Sequence, residues 1–155
     1  LAELYRYQGR MDEAKTLYTQ ALAIFEKNLG PDRPDVGFCL NKLAVLYNTL
    51  GDIDQAEPLY ERSLAILEKA WGLDHPSVAA IRITLVEFYI SQGKYAKAER
   101  LLKRAFEKLG KKTGGDVHSL VVDASRELAE LYNVLGKPKE AKYWKEQAAL
   151  AEQQP

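Results

Sequence analysis

Residues 43–64 read LAVLYNTLGDIDQAEPLYERSL, and that stretch decides the fold. Leu43, Leu46, Tyr47 and Leu50 follow the i, i+3, i+4, i+7 spacing of one helix face. Gly51 then stops the helix, because the position after a helix end favours the left-handed conformation that glycine adopts without a Cβ clash. A second helix begins within two or three residues, and so short a connection makes the two helices antiparallel neighbours. Ala56 is small, which lets the second helix approach the first.

The same stretch recurs on either side. Segments opening at Leu1, Leu43, Leu85 and Leu128 align at spacings of 42, 42 and 43 residues. Tyrosine repeats at Tyr5, Tyr47, Tyr89 and Tyr132, glycine at Gly9, Gly51, Gly93 and Gly136, and alanine at Ala14, Ala56, Ala98 and Ala141. Such periodicity marks a stacked-repeat architecture in which each hairpin buries its apolar face against the next. The expected fold is all-α, an α-α solenoid of about four helical hairpins in repeat units 1–33, 34–75, 76–115 and 116–155 of one domain. The first unit starts inside its first helix, so a longer array is expected. The polar last helix, from Lys137 to Gln154, reads as a cap.

Punctuation between hairpins is partly regular. The linkers LGPDRPDV (29–36) and the one ending DHPSV at Val78 stop a helix with glycine and restart it at Pro34 or Pro76. The third, KLGKKTGGDVHSL, breaks the pattern and is expected to be a flexible joint. Asp12 and Asp52 are candidate N-caps, and Pro138 suits a first helical position. Pro58 falls inside a second helix, where a lost backbone bond and ring clash cost ~3 kcal/mol. A kink or a late helix start is expected there.

These residues resemble the kinesin light chain class of tetratricopeptide repeats. The shared pattern is L-A-x-L-Y-x-x-x-G-x-x-x-x-A-E-x-L-Y-x-x-(A/S)-L-x-I-x-E-K followed by L-G-x-D-x-P-x-V, and it is strongest from Leu22 to Ala80. The resemblance implies a right-handed superhelix whose first helices line a concave, peptide-binding groove. It also places a groove asparagine at Asn41. It implies no transport role, because fold similarity does not fix a partner.

Positions that pack one repeat on another should look alike in every copy, whereas groove positions can differ. Three variable positions share one face of each first helix. They yield Asn41, Val45 and Asn48 in the second copy, Ile83, Glu87 and Ile90 in the third, and Arg126, Glu130 and Asn133 in the fourth. Glu3 and Arg6 are their counterparts in the first. An asparagine amide can donate to and accept from an extended peptide backbone. Phe38, Val45, Ile83 and Ile90 form either an apolar strip for ligand anchors or ordinary packing. Basic residues are too few here to clamp a carboxylate, and the glutamates disfavour an acidic ligand.

Composition narrows the function further. Lys plus Arg (22) balances Asp plus Glu (22), so no global charge draws the chain to nucleic acid or anionic lipid. Residues 94–112 are the exception, with eight basic and two acidic residues. On a second helix such a cluster reads as a solvated outer face or as a contact for an anionic partner. The single cysteine, Cys39, excludes an internal disulfide, and no apolar run approaches the ~20 residues of a membrane span. A cytoplasmic location is the expectation. No phosphate-binding glycine motif or metal-ligand spacing occurs, so neither an enzyme nor a cofactor is expected. His75 reads as a linker residue contacting the next helix, His118 as a solvated loop residue, and Trp71 and Trp144 as packing residues. The expected role is a protein-protein interaction scaffold. The alternatives are a regulatory segment of a larger signalling ATPase-type protein and self-association through exposed repeat faces.

Overall fold

The computed structural model describes residues 1–109 and 115–153, with backbone alone for 115–118. These residues form eight helices that pack as sequential hairpins in two compact units, Leu1–Gly72 and Leu73–Pro155. The first unit holds α1 (Ala2–Tyr7), α2 (Met11–Leu29), α3 (Pro34–Thr49) and α4 (Ile53–Trp71). The second holds α5 (Pro76–Ser91), α6 (Tyr95–Leu109), α7 (Gly115–Val134) and α8 (Pro138–Glu152).

Each hairpin closes by the same backbone device. Gly9, Gly51, Gly93 and Gly136 all have positive φ, between 67° and 79°. In each copy the glycine N–H bonds three residues back, and the following N–H reaches the carbonyl of the repeated tyrosine. Those carbonyl acceptors belong to Tyr5, Tyr47, Tyr89 and Tyr132, at 2.8–2.9 Å. This pair of bonds satisfies the last carbonyls of the first helix and fixes the direction in which the second departs.

That closure explains a correction. Asp12 is not an N-cap: α2 starts at Met11 with Arg10 at the cap position, and Asp12 lies in the first turn, where a negative charge favours the helix dipole. Asp52 does occupy the cap position of α4, but its side chain accepts no capping bond. The cap residues Arg10, Asp52 and Lys137 are chemically unrelated, because the backbone turn and not a side chain starts each second helix. Pro34, Pro76 and Pro138 each open a helix as expected.

Pro58 does not delay α4, which starts at Ile53 and runs through it. Ala56 is fully buried against the hairpin, so the first turn must already be in place. The bond lost to Pro58 is that of the Asp54 carbonyl, on an exposed residue where water can replace it. The expected flexible joint lies largely outside the described residues. His118 does not lie in a loop, since α7 already begins at Gly115. The proline that fixes the start of α3 and α5 nine residues before the repeat leucine has no equivalent in this copy, and α7 starts a turn earlier.

Packing follows the repeat. Ala14, Ala56, Ala98 and Ala141 are each at most 2% exposed, the close-approach points between paired helices. In the first unit, Ala14, Tyr18, Cys39, Leu43 and Leu46 form one cluster, and Val36, Leu40 and Ile66 a second, bridged by Leu22, Phe25 and Leu59. α3 and α4 approach so closely that a Cβ on Gly37 would lie 2.8 Å from Leu67 Cγ. Ser63 Oγ donates to the Gly37 carbonyl at 2.6 Å across the same contact. In the second unit, Ala105, Leu109, Val121, Val122, Ala148 and Ala151 form the cluster. Trp144 is buried edge-on to Phe106, and Trp71 packs at a tilt against Phe38, ring centroids 5.4 Å apart.

Candidate functional site

In the first unit, Asn41, Val45 and Asn48 fall on one face of α3, four and three residues apart, and all three are half-buried. Beside them α1 contributes Glu3 and Arg6. Glu3 accepts from Tyr18 Oη at 2.6 Å, pairs with Lys42 at 2.9 Å, and with Arg6 at 3.0 Å. Burial alone would raise its pKa, but the hydrogen bonds from Tyr18, Lys42 and Arg6 outweigh it and hold the carboxyl at about 2. Glu3 and Arg6 are therefore engaged in a strut joining α1, α2 and α3. Asn41 differs: its Oδ1 is shielded from solvent and has no hydrogen-bond partner among the described residues.

In the second unit, Ile83 and Ile90 of α5 are half-buried and Glu87 is exposed. Arg126, Glu130 and Asn133 of α7 are exposed, and Arg126 pairs with Glu152 of α8. That pairing draws the one basic group of the α7 row toward α8. Phe38 is 37% exposed on α3, so the proposed apolar strip contains one open aromatic and three half-buried aliphatic side chains.

The structure adds two residues that the sequence reading passed over. Arg82 on α5 is 4% exposed, at the position held by Leu40 and Ser125 in the neighbouring copies. Glu127 on α7 has an Oε2 shielded from solvent with no hydrogen-bond partner among the described residues. Desolvation raises its pKa to about 7; Arg82 pulls the value down, and Asp123, Glu87 and Glu130 push it up. A signal was present in the alignment: a charge stands at Arg82 where other copies carry Leu or Ser. The residue before the repeat leucine also changes from Lys42 to Thr84 to Glu127.

The remaining chemistry is structural. Cys39 is buried, which pushes its thiol up to about 11. His75 caps α5, its Nδ1 accepting from the Ser77 N–H at 3.2 Å. Within the basic stretch on α6, Lys103 pairs with Glu99 at 2.6 Å and Lys97 lies 5.2 Å from the Tyr89 ring centroid. Lys97 and Lys103 are thus engaged inside the unit; Lys111 and Lys112 lie outside the described residues. Among the described residues no cluster could hold a metal ion, and no helix is long and apolar enough to cross a membrane.

Comparison with known proteins agrees with this fold. Residues 1–69 match one tetratricopeptide repeat family model and residues 51–121 match another. Among solved structures, a kinesin light chain-type protein of Podospora anserina with nearly identical TPR-like repeats is 29% identical, with a TM-score of 0.82. The alignment covers 98% of this chain and 72% of that one. A point variant of the same Podospora protein is 30% identical, with a TM-score of 0.72 and coverage of 96% and 69%. BtubC (BKLC) of P. vanneervenii is 25% identical, with a TM-score of 0.77, over 98% of this chain. The chain spans 60% of the length of that protein. No curated protein matches the sequence.

Proposed function

Because this chain belongs to the tetratricopeptide repeat family, we propose that it holds an extended segment of a partner protein against the variable faces of its first helices. Domains of this family generally serve protein-protein interaction and are non-catalytic. The observation that carries the reading is Asn41. A shielded carbonyl oxygen without a donor costs about 1–3 kcal/mol, and a peptide N–H laid along α3 would satisfy it. Asn48, two turns on, offers a second amide on the same face, and Val45 between them gives an apolar contact.

The faces of the second unit set the ligand's character. Ile83 and Ile90 suit apolar anchors, while Glu87 and Glu130, with Asn133 beside them, repel an acidic ligand. Arg126 is committed to Glu152 and does not offset them. The ligand is a peptide of mixed apolar and polar side chains without net negative charge, bound at micromolar strength.

The test is a fluorescence-polarisation screen of unbiased extended peptides against wild type and Asn41→Ala/Asn48→Ala. Binders that lose at least ~10-fold affinity in the variant, about 1.4 kcal/mol, support the reading. Binders indifferent to both substitutions refute it.

A further inference from the structure

One pair of positions recurs between neighbouring first helices: the residue two after a repeat leucine and the residue just before the next repeat leucine. Between α1 and α3 that pair is Glu3 and Lys42, whose Oε1 and Nζ lie 2.9 Å apart. Glu3 also accepts from Tyr18 Oη and pairs with Arg6, so three donors converge on one carboxylate. Between α5 and α7 the same two positions hold Glu87 and Glu127. The counterpart of Tyr18 is Leu102 and that of Arg6 is Ile90, and neither side chain has a donor. Every partner that serves Glu3 is therefore missing at Glu87, and one of them has become a second carboxylate. The consequence shows at Glu127. Its Oε2 is shielded from solvent without a hydrogen-bond partner among the described residues, and burial raises its pKa to about 7. The charged groups acting on it are Arg82 and Glu87 of α5 and Asp123 and Glu130 of α7, three acids against one base. A proton relieves this arrangement in acid; in the first copy Lys42 does so at every physiological pH.

We propose that Glu87 and Glu127 together seat a lysine or arginine side chain of the bound peptide, which stands against them as Lys42 stands against Glu3. The inference rests on the reading that the first helices hold a peptide, and it gives that peptide a charged anchor. Glu87 is exposed and meets the cation first, while the shielded oxygen of Glu127 receives its charge-assisted bond, about twice as strong as a neutral one. The cation also removes the repulsion between the two carboxylates. Ile83 and Ile90, on the same face of α5 as Glu87, give its methylene stem apolar contact. Among the described residues no cluster of side chains could hold a metal ion, so the occupant is an organic cation.

The probe is a labelled peptide of alternating alanine and lysine, titrated against the full chain by fluorescence polarisation at fixed ionic strength. Because the cation needs Glu127 ionised, the apparent affinity follows the ionised fraction, which grows ~10-fold from pH 6 to pH 8 for a group titrating at about 7. Affinity should rise by that factor. Glu127→Gln should abolish the rise and weaken binding at pH 8 at least ~10-fold. Glu87→Gln should weaken binding and move the rise to lower pH, since Glu87 helps to keep the proton on Glu127. Glu140→Gln removes the same charge from an exposed site on α8 and should change neither. Binding independent of pH, or weakened as much by Glu140→Gln as by Glu127→Gln, overturns the proposal. A second arm needs no ligand. Glu127→Lys rebuilds the pair of the first copy, so at pH 8 it should melt above Glu127→Gln and no longer bind the probe. A lysine variant that melts no higher overturns the proposal even if the probe binds too weakly to measure. Peptides that lose affinity in Asn41→Ala/Asn48→Ala but ignore Glu127→Gln uphold the peptide-binding face and overturn this anchor alone; the reverse pattern upholds the anchor.

Discussion

Glu127→Gln should make the chain more stable at alkaline pH while leaving it unchanged in acid. Desolvation is the main reason that the folded-state pKa of Glu127 rises from 4.5 to about 7; Arg82 opposes it, and Asp123 and Glu130 on α7 and Glu87 on α5 add to it. The folded chain therefore keeps a proton that the unfolded chain releases above pH 4.5. Where the folded state binds more protons, stability falls as pH rises. Each pH unit of that gap is worth about 1.4 kcal/mol, or about 3 kcal/mol at full weight. Partial solvent access to the side chain screens this to about 2 kcal/mol. Urea unfolding of wild type and variant at half-unit steps from pH 4 to 8 measures it. The two should coincide near pH 4 and separate by about 2 kcal/mol at pH 8, with glutamine the more stable. The carboxyl of Glu3, held at about 2, titrates in the opposite sense, but it is common to wild type and variant and cancels in their difference. Parallel curves from pH 4.5 to 8 would refute the reasoning.

Two further outcomes follow from the fold. Gly51→Ala places a Cβ on a residue at φ +79° with open space around it, so its cost is backbone strain alone, about 1–2 kcal/mol; an unchanged melting temperature would contradict the hairpin closure described above. Cys39, buried with its thiol pushed up to about 11, should resist iodoacetamide at pH 8 in the native chain and react fully in urea, as mass spectrometry will show. Rapid native labelling would mean that the contact between α2 and α3 opens readily.

How far the sequence reached depended on the range of the interactions involved. The four glycines, the three opening prolines and the buried alanines were legible because each acts within its own hairpin, through φ preference, ring geometry or side-chain size. The cap at Asp12 and the late start at Pro58 were misread for a related reason: residue preference was weighed without the backbone turn that precedes it, and the turn prevails. Of the candidate face, the rows of α3, α5 and α7 were found by comparing copies. Their separate fates were not, since the pairing of Arg126 with Glu152 and the engagement of Glu3 by Tyr18 and Lys42 are side-chain contacts between different helices, which periodicity along one helix does not reveal.

By itself, then, the sequence determined the repeat, its all-helical hairpins and the glycines and prolines that punctuate them, because periodicity and glycine or proline chemistry are local. Only the tertiary structure decided which polar atoms are stranded and which apolar rows are covered. Burial belongs to the neighbours that a fold assembles: Ser63 finds the Gly37 carbonyl across the α3–α4 contact, whereas Asn41 Oδ1 and Glu127 Oε2 are shielded without a hydrogen-bond partner among the described residues.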